Sequence, residues 1–282
     1  MTSDQSGPMR DTFEVRVLRQ DRPQDASYWE RFRLDYEPGL NITSVLQKIA
    51  VRPVTTNDRH VAPVAYEANC LEEVCGSCTM LINGQVRQAC SALIDRLLAD
   101  NPGLVELRPM SKFPVVRDLV VARGRLFRAL EKLHCWISVD GYYDQGPGSR
   151  QSPQEQETAY PLSQCMSCAC CLEACPQYSK IELTAQPGES AEQFADREQA
   201  AFDTAFIGAH ANSQVVLMNS NPTGRMTASQ RLDALIAPGG IQNCGKAGNC
   251  QVVCPKDIPL MTSWGRAGRA TTLHTLKKLF GD

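Results

Sequence analysis

The chain has 282 residues, 43% of them hydrophobic, and balances 29 basic against 31 acidic side chains. That length accommodates two domains of ordinary size in a globular composition. A formal net charge of −2 gives no electrostatic case for a nucleic-acid partner. No run approaches the roughly 20 apolar residues that cross a bilayer, because charge interrupts every candidate, Val115–Leu126 included. The segment MTSDQSGPMRDTFEV lacks the basic-then-apolar order of a secretory signal, so the chain is expected to be soluble and to stay in the cytoplasm.

In chain order, Thr12–Leu18 and Tyr28–Tyr36 alternate with a period near two on either side of a polar turn and are predicted strands. Asn41–Ala50 is a predicted helix with Val45, Leu46 and Ile49 on one face and Asn41 or Thr43 as its cap. Thr79–Ile82 and Gln85–Ala89 flank Asn83-Gly84, the favoured two-residue hairpin turn. A short sheet on one helix is a β-grasp arrangement. After Pro114 the pattern changes: Leu119–Leu133 carries apolar residues at helical spacing. Asp140–Ala159, rich in Gly, Pro, Ser and Gln, is expected to be an exposed connection. The remainder is expected to be helical, stopped at Cys175-Pro176 and Cys254-Pro255, with Ser179–Ala201 a surface helix–loop excursion. The expected class is α+β, with domains 1–118 and 119–282.

Thirteen cysteines dominate the chemistry: four in 70–90, five in 165–175, three in 244–254, and Cys135 alone. In a reducing compartment such clusters are metal ligands before they are disulfides. Cys70-x4-Cys75-x2-Cys78, with Cys90 beyond the hairpin, is the plant-type ferredoxin spacing for a [2Fe–2S] centre. The small Gly76 and Ser77 let the loop wrap the sulfides and aim backbone N–H groups at them. A zinc knot is the competing use of these four cysteines. Zinc sites, however, use two matched short pairs, not a tight trio facing one distant cysteine.

Cys165-x2-Cys168-x2-Cys171-x3-Cys175-Pro176 is the complete bacterial ferredoxin run, whose fourth cysteine serves the other cluster. It recurs as Cys244-x5-Cys250-x3-Cys254-Pro255, with Ala247 at the second cysteine position. Crossover then assigns Cys165, Cys168, Cys171 and Cys254 to a [4Fe–4S] cluster. Cys175, Cys244 and Cys250 remain for a second site with three thiolates, for which [3Fe–4S] is the natural occupant. Hydroxide or water on the open corner of a cubane is the alternative. Cys170 would break both spacings as a ligand and, like Cys135, is expected to be a buried, inert thiol.

No substrate chemistry is encoded. Gly146–Ser149 and Gly245–Asn249 do not form a dinucleotide fingerprint, so a flavin belongs to a partner. His60, His134, His210 and His274 are scattered and are each expected to be surface or core histidines, not catalysts; His210, in the loop-like FIGAHANS, is the one to test near a partner interface.

Taken together, CLEEVCGSCTMLINGQVRQAC (Cys70–Cys90), KFPVVRDL (Lys112–Leu119), CMSCACCLEACP (Cys165–Pro176) and CGKAGNCQVVCPKDIP (Cys244–Pro259) resemble the iron–sulfur subunit of succinate dehydrogenases and fumarate reductases. The resemblance implies an N-terminal β-grasp [2Fe–2S] ferredoxin domain followed by an all-helical dicluster ferredoxin domain. DGYYDQGPG, FIGAHANSQVVLMNSNPTGRM and CPKDIPLMTS are most similar to the menaquinone-linked branch. That branch implies a flavoprotein partner with FAD and a membrane anchor that is commonly a dihaem cytochrome b with haem b. Electrons would pass from FAD through [2Fe–2S], [4Fe–4S] and [3Fe–4S] to quinone, at the cytoplasmic face of the bacterial inner membrane. Where the ubiquinone-linked pattern has a tryptophan and a histidine lining the quinone pocket, this chain has Lys180 and Gly245. No quinone site is therefore carried over, although Pro176 and the surface near Cys244 are expected to face the anchor. Quinol:fumarate reduction along the same relay, a stand-alone ferredoxin-like carrier and a zinc scaffold are the competing functions.

Overall fold

The structure, a computed structural model, describes residues 12–137 and 150–281. It divides into two compact units, one built from the chain up to Ser111 together with Val115–Val121, the other from Lys112–Pro114 and from Ala122 onward.

In the first unit, β1 (Thr12–Arg19) and β2 (Tyr28–Asp35) pair antiparallel, and Phe13, Val15 and Val17 alternate into the core. The helix α1 (Ile42–Val51) is capped by Asn41, whose side chain accepts from the Ser44 N–H at 2.8 Å. Thr43, the other candidate cap, is instead buried, with no partner for its hydroxyl among the described residues. The hairpin β3 (Thr79–Ile82) and β4 (Gln85–Gln88) turns at Asn83 (φ 50°) and Gly84 (φ 77°). Both central residues are left-handed, as a type I′ turn requires.

The sequence reading missed α2 (Ile94–Asp100) and β5 (Leu104–Arg108). β5 lies at the centre of the sheet, in the order β2-β1-β5-β3-β4, parallel to β1 and antiparallel to β3. Its partners lie far away in the chain, so no local period announces it. With α1 packed on the sheet, Ile42, Val45, Leu46 and Ile49 join Val15, Ile82, Val105 and Leu107 in one core.

A second, small ladder pairs β6 (Val115–Arg117) with β7 (Val120–Val121), which corrects the expectation of a helix from Leu119. What holds this corner is a buried charge network. Arg19 is 1% exposed; it donates from Nη1 to Glu30 at 2.6 Å and from Nε to Asp118 at 2.8 Å. Asp118 also accepts from the N–H groups of Ala65 (2.8 Å) and Gln20 (3.2 Å).

The second unit is helical. It contains α3 (Gly124–Lys132), α4 (Pro153–Ser163), α5 (Cys170–Glu173), α6 (Ala191–Thr204), α7 (Gly208–Ser220), α8 (Ala228–Ile236), α9 (Asn249–Val252) and α10 (Leu260–Phe280). Of the expected connection Asp140–Ala159, residues 140–149 lie outside the described residues, as does Gly146–Ser149. The rest of it enters α4, which Ser152, Pro153 and Glu155 start as a full capping box. The second correction is α7: FIGAHANS is a helix start, not a loop, and Gly208 through Ser213 are all buried. α7 contacts α3, α4, α5, α8 and α10, so it is covered on every side.

Replacing Arg19 with Met would leave the buried carboxylates of Glu30 and Asp118 only the longer ionic contacts to the exposed Arg59 (3.5 Å) and Arg117 (4.0 Å). The Arg19→Met protein should lose about 3–5 kcal/mol of unfolding free energy, seen as a lower urea midpoint at unchanged slope.

Candidate iron–sulfur centres

The first group of cysteines sits in the loop between α1 and β3 and just beyond β4. Leu71 (φ 63°), Glu73 (φ 55°) and Gly76 (φ 72°) turn the loop through left-handed steps. As a result, the N–H groups of Glu72, Val74 and Cys75 all converge on Cys70 Sγ at 3.4 Å. Such a nest of N–H groups favours negative charge on sulfur. The Ser77 hydroxyl lies 3.4 Å from Cys75 Sγ and, with further backbone donors, holds the Cys75 thiol down at about 6. Cys90 lies on the buried side; burial, then Cys78, pushes its thiol up to about 11. Ser91 closes the loop by donating to Glu73 at 2.6 Å.

The second and third groups are built by one backbone pattern used twice. Ser167 (φ 52°) and Ala169 (φ 71°) lead into α5, and Lys246 (φ 55°) and Gly248 (φ 79°) lead into α9. Two residues beyond each short helix stands a cysteine whose backbone N–H donates back three residues: Cys175 to the Leu172 carbonyl at 3.2 Å and Cys254 to that of Gln251 at 3.3 Å. The repeat places Ala247 where Cys168 stands in the first copy.

Cys165, Cys168, Cys171 and Cys254 line one cavity, together with Cys170 and His210. Cys175, Cys244, Cys250 and Ala247 line another, with Phe206 and Trp264 stacked at 5.8 Å beside them. Burial and then Cys168, Cys165, Cys254 and, from the other cavity, Cys250 raise Cys171 well above the ordinary range. Burial, Cys175 and Cys244 raise Cys250. Thiols this close can all ionise only beside compensating positive charge, so the donor sets fit metal-bound sulfur.

No three His, Cys, Asp or Glu side chains among the described residues converge as they would about one ion.

Other residues singled out by the sequence fall as follows. Cys170 is 1% exposed, buried as expected, and its hydrogen bond is the first cause of a lowered Cys168 pKa. Cys135 is partly buried, and burial pushes its thiol to about 12. Pro176 lines the Ala247 cavity. His210, expected near an interface, is 2% exposed, with Nε2 3.0 Å from Ser167 Oγ. His274 pairs with Asp233 at 2.8 Å. Neither Ser167 nor the burial of His210 had a signal in the sequence, because 43 residues separate the pair.

Residues 14–128 match the family described as a 2Fe-2S iron-sulfur cluster binding domain, and residues 161–258 the 4Fe-4S dicluster domain. The chain is 42% identical over 271 residues to the succinate dehydrogenase iron-sulfur subunit of Bacillus subtilis (strain 168), covering 96% of this chain and 97% of that one. It is 30% identical over 225 residues to the fumarate reductase iron-sulfur subunit of Mycobacterium tuberculosis (strain CDC 1551 / Oshkosh), covering 77% of each. Among solved structures, it superposes on a chain of the Mycobacterium smegmatis Sdh1 complex in the apo form with a TM-score of 0.68. That match covers 94% of this chain and 97% of that one at 18% identity, a likeness of fold.

Removing the Ser77 hydroxyl takes away the largest contribution to the acidity of Cys75. In iron-free Ser77→Ala protein, the Cys75 pKa should rise from about 6 toward the ordinary thiol value. Its alkylation at pH 7 should slow accordingly, as mass-spectrometric mapping would read.

Proposed function

This chain belongs to the iron–sulfur electron-transfer subunits of succinate dehydrogenases and fumarate reductases, and on that premise we propose how its residues carry the relay. Cys70, Cys75, Cys78 and Cys90 hold a [2Fe–2S] cluster. Cys165, Cys168, Cys171 and Cys254 hold a [4Fe–4S] cluster, and Cys175, Cys244 and Cys250 hold a [3Fe–4S] cluster. The observation that carries this reading is the exchange of last cysteines: Cys254 lines the cavity of the first run and Cys175 that of the second. The clusters, when bound, supply one-electron steps. The protein's part is to hold thiolates, aim N–H groups at sulfur and keep water out.

Ala247 offers a methyl where a fourth thiolate would stand, which favours three irons over four in that cavity. The partners in this reading are a flavoprotein subunit carrying FAD, where succinate is oxidised, and a membrane anchor of the dihaem cytochrome b type. No helix among the described residues is long and apolar enough to cross a membrane, so attachment at the cytoplasmic face runs through the anchor. The direction, succinate oxidation with menaquinone as acceptor, follows the Bacillus subtilis relative and the stretches similar to the menaquinone-linked branch. Gly245 is consistent with a pocket unlike that of ubiquinone-linked relatives: a Cβ there would meet the Gln177 amide at 2.8 Å.

Two measurements test the proposal. The complex purified from membranes should bring down a flavoprotein and a haem-containing subunit, whereas a stand-alone carrier would come alone. In Ala247→Cys protein the EPR signal of the oxidised trinuclear centre should disappear and a reduced-state cubane signal should grow. An untouched oxidised-state signal would refute the assignment of Cys175, Cys244 and Cys250.

A further inference from the structure

Among the buried polar groups that the relay itself does not use, the Ser167–His210 pair stands out. His210 lies in the first turn of α7 and lines the same cavity as Cys165, Cys168, Cys171 and Cys254. Its position is tightly set. α7 begins at Gly208 (φ 78°), where an added Cβ would come within 2.2 Å of Leu172 Cδ2 on α5. Ser167 is held between Cys165 and Cys168 in a left-handed conformation (φ 52°), and its Oγ is 3.0 Å from His210 Nε2. The other ring nitrogen, Nδ1, is buried with no hydrogen-bond partner among the described residues.

Counting hydrogens decides what the orphan atom is. A neutral imidazole and a hydroxyl carry two polar hydrogens, and one of them is spent in the bond between them. If Nε2–H donates to Ser167, Nδ1 is a bare, buried lone pair on a ring that lines a cavity of thiols, with no donor to meet it. If the Ser167 O–H donates to Nε2, Nδ1 carries the hydrogen and is a donor lacking only an acceptor. The second arrangement alone complements an anionic occupant. The count takes the ring as neutral, as burial makes it by pushing the imidazolium pKa down to about 4.

We propose that His210, with its tautomer fixed by Ser167, donates from Nδ1 to sulfur of the [4Fe–4S] cluster in this cavity and thereby raises that cluster's reduction potential. The proposal rests on the reading of Cys165, Cys168, Cys171 and Cys254 as its ligands. The step is a one-electron reduction, and no proton moves. A donor facing sulfur stabilises the added negative charge, so removing it makes reduction harder.

The test is an EPR-monitored redox titration of the assembled complex. In His210→Leu, similar in bulk but without a donor, the one-electron equilibrium of the [4Fe–4S] cluster should shift about tenfold toward the oxidised state, a fall of about 59 mV. The potentials of the other two clusters should stay where they are. Ser167→Ala should move the same potential in the same direction by less. Pulsed EPR on wild-type complex with 15N-histidine should show a nitrogen coupled to the reduced [4Fe–4S] cluster, which decides the matter even if His210→Leu fails to assemble. Absence of that coupling, an unmoved potential, or an equal shift of all three clusters would overturn the proposal. Absence of any [4Fe–4S] signal in the wild type would instead sink the ligand reading beneath it.

Discussion

Mutual repulsion among buried sulfur atoms is the constraint around which the helical unit is arranged. Burial, then Cys168, Cys165, Cys254 and Cys250, raise the pKa of Cys171, and burial, Cys175 and Cys244 raise that of Cys250. Polypeptide alone would not hold so many ionisable thiols together out of water. The fold meets the demand with two short helices, α5 and α9, packed on each other and each entered through left-handed residues. Those residues turn the preceding thiols inward. The Cys-Pro endings then deliver the last thiol of each run to the other run's cavity.

The long helices form a scaffold for these two turns. The first half of α7 is buried, a costly position for a segment carrying His210, Asn212 and Ser213. Ser213 donates to the His210 carbonyl at 2.8 Å, and Asn212 reaches Ser263 on α10 at 3.5 Å. Nearby, Arg231 is fully buried and serves as a fork, giving Nη1 to the carbonyls of His134 and Trp136 at 3.1 Å and Nε to Asn219 at 2.7 Å. In the first unit Arg19 does comparable work between β1, β2 and Asp118. Both arginines exploit a planar fork whose donors can be satisfied by fixed acceptors.

What could be read in advance depended on how local the cause was. The hairpin at Asn83-Gly84 and the cap at Asn41 are set by residues within a few positions of one another. The start of α4 was equally local, since Ser152, Pro153 and Glu155 spell a capping box, yet the surrounding Gln and Pro concealed it. β5 was not legible, because its neighbours β1 and β3 lie far from it in sequence and its short apolar run fits a strand or a helix equally well. β7 was lost for the opposite reason: Val120 and Val121 happen to continue the helical spacing of α3.

The same division holds for the site. Cysteine spacing by itself determined where thiols occur, how they group along the chain and that Ala247 interrupts the second run, because a short loop around a cluster tolerates few spacings. The crossover spacing also anticipated which thiols share a cavity; tertiary structure alone decided which non-ligands look into it. Ser167 against His210 is a contact made by packing α7 on the turn that leads into α5. It joins residues whose separation in sequence carries no period, so nothing in the chain's pattern announces it.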